Sequence, residues 1–257
     1  MSLKTAVLAL ATTLSITTHS AFADNNASSS SDWSGQYVGL ALGVAHERSI
    51  AHVGPQTTTY FSNVDKNQLK PLASKDLDKI LLNGSLMWGI NRQSGNIVYG
   101  LEADISKSDF DEQHSYKNVT FKSAPGQNFN MTTTVSSDWA ASLRPRLGYA
   151  HDETLYFVSA GPTMTKFNYD FTYSDRPVNN QSASLSSSKI AFGAMAGMGA
   201  EHKFLDGWSV RAEYLYSYYA NIIDEKSSLT GTYSTDGFDH EIDHETHNLR
   251  IGLIRRF

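Results

Sequence analysis

The sequence predicts an all-β fold: eight antiparallel strands closed into an up-and-down transmembrane barrel, with four long external loops and three short turns. Three observations predict it. The last twelve residues, 246–257, alternate Leu249, Ile251, Leu253, Arg255 and Phe257 with Asn248, Arg250, Gly252, Ile254 and Arg256, and they end on an aromatic. A stripe of period two suits a strand with one face in lipid and the other toward a lumen. Seven earlier segments repeat the alternation. The connections between them run long, short, long, short, long, short, long, as hairpins crossing a membrane require.

The elements follow in chain order. Lys4, an apolar run over 6–16 and the small-residue motif Ala21-Phe22-Ala23 read as an export signal spanning 1–23, cut before Asp24. A polar leader fills 24–35, and the barrel takes 36–257. No later stretch holds the ~20 unbroken apolar residues of a spanning helix.

The first strand, 36–46, sets Val38, Leu40, Leu42 and Val44 outward against Tyr37, Gly39, Ala41, Gly43 and Ala45. The second, 80–91, and the third, 97–106, put Leu86, Trp88, Ile90 and then Tyr99, Leu101, Ile105 outside. Their charges, Glu102 and Asp104, fall inside. The fourth, 138–149, turns Leu143, Pro145 and Leu147 outward and Arg144 and Arg146 inward. The fifth, 156–166, has two weakly polar faces, and its Pro162 predicts a bulge or kink. The sixth, 189–203, alternates small residues with an inward Glu201. The seventh, 208–218, sets Trp208, Val210 and Tyr214 against Arg211 and Glu213; 246–257 is the eighth. Long connections cover 47–79, 107–137, 167–188 and 219–246; short ones cover 92–96, 150–155 and 204–207.

Composition narrows the class. The chain has no cysteine, so an exported fold of this sequence is held by burial and hydrogen bonding, as is ordinary in a bacterial outer membrane. Removing 1–23 takes away Lys4 and moves the formal net charge from -5 to about -6. No basic stripe marks a nucleic-acid partner. The mean hydropathy of -0.35 suits a barrel, in which half of each strand and every loop is polar.

Aromatics near predicted strand ends, namely Tyr37, Trp88, Tyr99, Trp139, Tyr149, Trp208 and Phe257 together with Trp33, are expected to form two interfacial girdles. Eight strands enclose a space that side chains fill, leaving no open channel. Glu102, Asp104, Glu201 and Glu213 with Arg144, Arg146, Arg211 and Arg250 are therefore expected to neutralise one another there, because an unpaired buried charge costs several kcal/mol.

Other motifs could carry chemistry. His240-Glu241-Ile242-Asp243-His244 matches the helical zinc-protease signature, but it lacks an apolar helical stripe and runs into the last strand. A looser metal site from His240, His244 and His247 in an external acidic loop is the alternative. Hemin is a second ligand candidate, since haem iron takes His or Tyr ligands and the predicted loops offer His46, His52, His114, Tyr233 and the same three histidines. No predicted strand carries the closely spaced His and Ser of a membrane-embedded hydrolase, and no enzyme activity is expected.

The segments Asp32-Trp-Ser-Gly-Gln-Tyr-Val-Gly-Leu40, Tyr99-Gly-Leu-Glu-Ala-Asp-Ile105, Ser142-Leu-Arg-Pro-Arg-Leu-Gly-Tyr-Ala150 and Trp208-Ser-Val-Arg-Ala-Glu-Tyr-Leu-Tyr-Ser-Tyr218, with the closing Phe257, resemble the small eight-stranded outer-membrane barrels of alphaproteobacteria. That group includes surface antigens, proteins labelled porins and hemin-binding proteins. The chain departs from the pattern at Arg255, where an aromatic is usual, and at Pro145. The resemblance implies an outer-membrane location, contact with lipid and lipopolysaccharide, and recognition of Phe257 by the barrel-assembly machinery. The expected role is structural, with surface ligands met through the loops; a small-solute porin and a hemin binder are the alternatives.

Overall fold

The computed structural model describes residues 31–56, 60–175 and 180–257. The expected signal over 1–23 and the start of the leader lie outside the described residues. Eight strands form one closed ring in sequence order: β1 Gly35–Pro55, β2 Leu77–Ser94, β3 Ile97–Thr120, β4 Asn128–His151, β5 Thr154–Ser174, β6 Ser182–Leu205, β7 Trp208–Ser228 and β8 Gly237–Arg256. All neighbours are antiparallel, and β1 meets β8 from Tyr37↔Arg256 to Pro55↔Phe238. At that seam Phe257 N–H donates to the Gln36 carbonyl at 2.9 Å. A Cβ on Gly35, at φ 113°, would lie 2.5 Å from the Phe257 carbonyl oxygen, so the closing point needs glycine.

The strands are longer than the sequence alone indicates. They run 18–24 residues, against the ~9–11 that cross a bilayer. All the excess lies at the end away from the three short turns. Most of the predicted long loops are thus strand: polar alternation such as Thr132, Thr134 and Ser136 against Met131, Thr133 and Val135 continues the ladder. Inside this extended half sits an apolar core containing Phe110, Phe129, Phe167, Phe171 and Phe238. On β5 the core shows in the sequence as a period-two stripe, Phe167, Tyr169, Phe171 and Tyr173 between Asn168, Asp170 and Thr172, whereas Phe110, Phe129 and Phe238 stand singly among polar residues.

Helix α1, Asn63–Ala73, closes the far end. Ser62 caps it by accepting from Asp65 N–H at 3.2 Å, and Asp65 returns the bond to Ser62 N–H at 3.1 Å. Its Leu69 and Ala73 join Ala51 and Val53 in the core. Just before it, Phe61 packs edge-on to Phe238 and Tyr173.

Of the bulge or kink expected at Pro162, no register shift occurs, but the ladder with β4 is interrupted there. β5 keeps its register with β6 through Pro162↔Ala194. With β4 the register is also kept, but no ladder pair forms between Ser142↔Thr163 and Arg146↔Ser159, where Pro145 and Pro162 lack N–H donors. The shift in that pairing lies instead between Ser137 and Ala140.

Candidate functional site

Strand register places the lumen charges. Glu102 stands directly across from Arg144, Glu201 from Arg211 and Glu213 from Arg250, each pair on adjacent strands with side chains turned inward. The contacts are short: Arg144 to Glu102 2.6 Å, Arg211 to Glu201 2.8 Å, Arg250 to Glu213 2.8 Å. Pairs are then joined across the barrel. Arg211 reaches Glu102 at 2.5 Å and Arg250 reaches Asp104 at 2.6 Å, while Arg146 lies 3.5 Å from Glu201. All eight charged residues are buried.

Two members escaped the sequence reading. Tyr37, expected in a girdle, is fully buried in the lumen; it donates to Glu102 at 2.6 Å and accepts from Arg146 at 2.9 Å. Its position follows from the first strand's own parity, since Val38 and Leu40 face out. Gly89 makes room for it, because a Cβ there would meet the Tyr37 ring at 2.4 Å. Arg256, the second, bonds Glu201 at 2.9 Å. It shares the inward parity of Arg250, which was the available signal. The cluster thus holds five guanidinium groups and four carboxylates, and the faces of Phe157 and Tyr37 lie against Arg146 and Arg211.

Two further closures flank this cluster. At the turn end Trp33, also expected in a girdle, is fully buried, with Lys203 and Arg256 over its ring at 4.6 Å each. Toward α1, the aromatic core fills the extended half. Between core and charges lies a cavity of about 40 Å³, lined by Glu47, Asn83, Asp104, Tyr219, His244 and Asn248 among others. That is room for roughly three waters.

Comparison with known proteins gives the same picture. The outer membrane protein beta-barrel domain description matches residues 6–257. The chain belongs to that family.

The relatives carry related names. A 31 kDa outer-membrane immunogenic protein of Brucella melitensis is 26% identical over 230 residues, covering 88% of this chain and 84% of that protein. A 25 kDa outer-membrane immunogenic protein of Brucella ovis is 26% identical over 199 residues, covering 77% and 76%. Among solved structures, the outer membrane protein OprG from Pseudomonas aeruginosa is 11% identical with a TM-score of 0.46, covering 87% of this chain and 97% of that one. This protein is an outer-membrane β-barrel, and the short turns face the periplasm.

In this outer-membrane barrel Leu40, Leu42, Leu86, Phe192, Ile251 and Leu253 are among the exposed apolar side chains of the wall. Tyr99, Tyr149, Trp208 and Phe257 stand outward at the turn end, joined by Tyr156. Trp139 is half-buried near the other rim, beside Lys107. Trp88 is exposed but lies within the apolar wall, between outward Leu86 and Ile90, and not at its edge. Arg255 points outward, over Trp208 at 5.4 Å, and donates to the Asp206 carbonyl at 2.8 Å.

The histidines do not lie together in an external loop, the alternative raised for them as a metal site. Residues 240–244 are strand, so His240 and His244 both face the interior and are buried, whereas His247 lies on the outer face against Tyr214 at 2.7 Å. His240 shares hydrogen bonds of 2.8 Å with Tyr169 and with Ser227, and burial pushes its pKa down to about 4. His244 meets Ser49 at 2.9 Å and Glu47 at 3.4 Å. Among the described residues no group of three or more His, Asp or Glu converges as metal ligands.

Proposed function

We propose that this barrel is a sealed structural and surface-interaction protein, presenting its extended outer half to the exterior and passing no solute through its lumen. The carrying observation is the buried guanidinium–carboxylate cluster, in which the contacts of Arg211 with Glu102, Arg250 with Asp104 and Arg146 with Glu201 cross the space a solute would need. An eight-stranded lumen has little room to spare, and here Tyr37, Met87 and Met195 pack among the charges. Trp33 below and the phenylalanine core above add two more barriers in series. The names of the Brucella relatives favour surface exposure.

A liposome-swelling assay tests this reading. Vesicles carrying the refolded protein should swell in small sugars no faster than empty vesicles. Swelling that rises with the amount of protein would refute the sealed lumen.

A further inference from the structure

The ring of backbone hydrogen bonds is complete only in its periplasmic part. β2 and β3 pair from Ser94↔Ile97 up to Gly84↔Lys107, and there the ladder ends. β2 goes on to Leu77 joined only to β1, and β3 goes on to Thr120 joined only to β4. Residues 108–120 of β3 therefore carry no ladder on their β2 side, while their pairing with β4 shifts register between Lys107 and Phe110 and between Tyr116 and Val119. A barrel normally abolishes such edges, and an exposed one is a template for another strand.

A second seam opens between β6 and β7 above Ala194↔Tyr218, and side-chain contacts and one backbone bond cross it. Glu225 takes Lys189 at 2.5 Å and Ser187 at 2.9 Å, and Thr230 N–H donates to the Ser182 carbonyl. Side chains cross beside the β3 edge as well. Lys79 reaches across from β2 to the Asp111 carbonyl at 2.9 Å and to the Glu112 carboxylate at 3.1 Å, and Gln68 of α1 donates to the Thr120 carbonyl at 2.8 Å. Two edge carbonyls thus already accept bonds from side-chain donors of the same chain.

The chemistry of the edge selects its occupant. The outer face offers Asp109, Asp111, Gln113, Ser115 and Lys117, all exposed and polar, which disfavours lipid. Asp109 is held by Lys107 at 3.0 Å, whereas the Asp111 carboxylate has no ion-pair partner among the described residues. We propose that the β3 edge, residues 108–120, receives an extended polypeptide segment of another protein by strand addition, with a basic side chain of that segment set against Asp111. Main-chain bonds supply the affinity in this mode of recognition, and alternate side chains supply the selectivity. The inference rests on the surface-interaction reading above and gives it a place and a partner chemistry.

The test uses the full chain refolded in detergent micelles and a fluorescein-labelled peptide of alternating lysine and threonine, read by anisotropy and by hydrogen exchange. Saturable binding is expected, with exchange protection gained at residues 108–120. A peptide N-methylated at alternate residues keeps the charge but cannot pair as a strand, and should bind roughly tenfold or more weakly. Asp111→Lys should weaken binding roughly fivefold. Absence of saturable binding, equal binding of the methylated peptide, protection on β6 or β7 instead, or a self-associated dimer that excludes the peptide would each overturn the proposal. Liposome swelling read on the same preparation separates the two failures, since a leaky barrel refutes the sealed lumen and an idle edge refutes only the docking site.

Discussion

At the scale of single residues, the lumen turns a burial problem into a network. Glu102 is the centre of it, bonded to Tyr37, Arg144 and Arg211. Replacing it by alanine leaves two guanidinium groups facing each other without their shared anion. Glu102→Ala should cost roughly 3–5 kcal/mol, measured as a lower urea midpoint for loss of the heat-modifiable gel band. The exposed pair Lys226–Asp239, at 3.3 Å, supplies the contrast: Lys226→Ala should cost less than about 1 kcal/mol because solvent screens it. His240 gives a pH dependence. It is held neutral in the fold with a pKa of about 4, while an exposed imidazole titrates near 6.5. The unfolded chain thus binds the extra proton first, so this contribution is whole above pH 6.5 and is lost as the pH falls toward 4, by roughly 3 kcal/mol. His240→Gln should flatten that part of the stability profile; an unchanged slope would contradict the assignment. The charged residues were legible from strand parity and a narrow lumen. Tyr37 is legible by the same parity, which sets it inward of Val38 and Leu40, although its place near a strand end also fits a girdle; Trp33 precedes the first strand, so no parity fixes its side.

At the scale of elements, the extended half depends on strands that continue beyond the membrane. Over 107–137 and 219–246 the apolar residues are spaced too widely for a hydrophobic pattern, so these stretches read as loops and the motif from His240 to His244 reads as solvated; Phe167, Tyr169, Phe171 and Tyr173 do carry the period-two signal, inside a stretch taken as a loop. The structure sets both of those histidines four residues apart on one face of a strand, against phenylalanines. Helix α1 was equally hidden, since Pro71 and a largely polar composition mask its short apolar stripe. Its cap is its clearest signal. Ser62→Ala should destabilise α1 by about 1 kcal/mol, seen as faster amide exchange over Asn63–Ala73 with exchange in the barrel strands unchanged. Gly89→Ala would act through β2 on the plug, because the added methyl displaces the Tyr37 ring; a loss of about 1–3 kcal/mol is expected, read in the same urea titration as Glu102→Ala.

At the scale of the whole molecule, three barriers lie in series along one axis: Trp33 with its two cations, the charge cluster, and the aromatic core beneath α1. The outer wall is apolar where lipid meets it, and its polar groups turn inward, so the alternation that suits the wall to lipid also fills the lumen with paired charges. The eight strands, their order and the charged interior follow from alternation and connection length alone. The free edge of β3 does not, since pairing between Gly84 and Lys107 stops without any break in either strand's sequence pattern. Single-channel recording in a planar bilayer tests the closed bore most directly. The wild-type protein should give no discrete current steps at any applied voltage that the bilayer survives, and reproducible unitary openings would contradict the account.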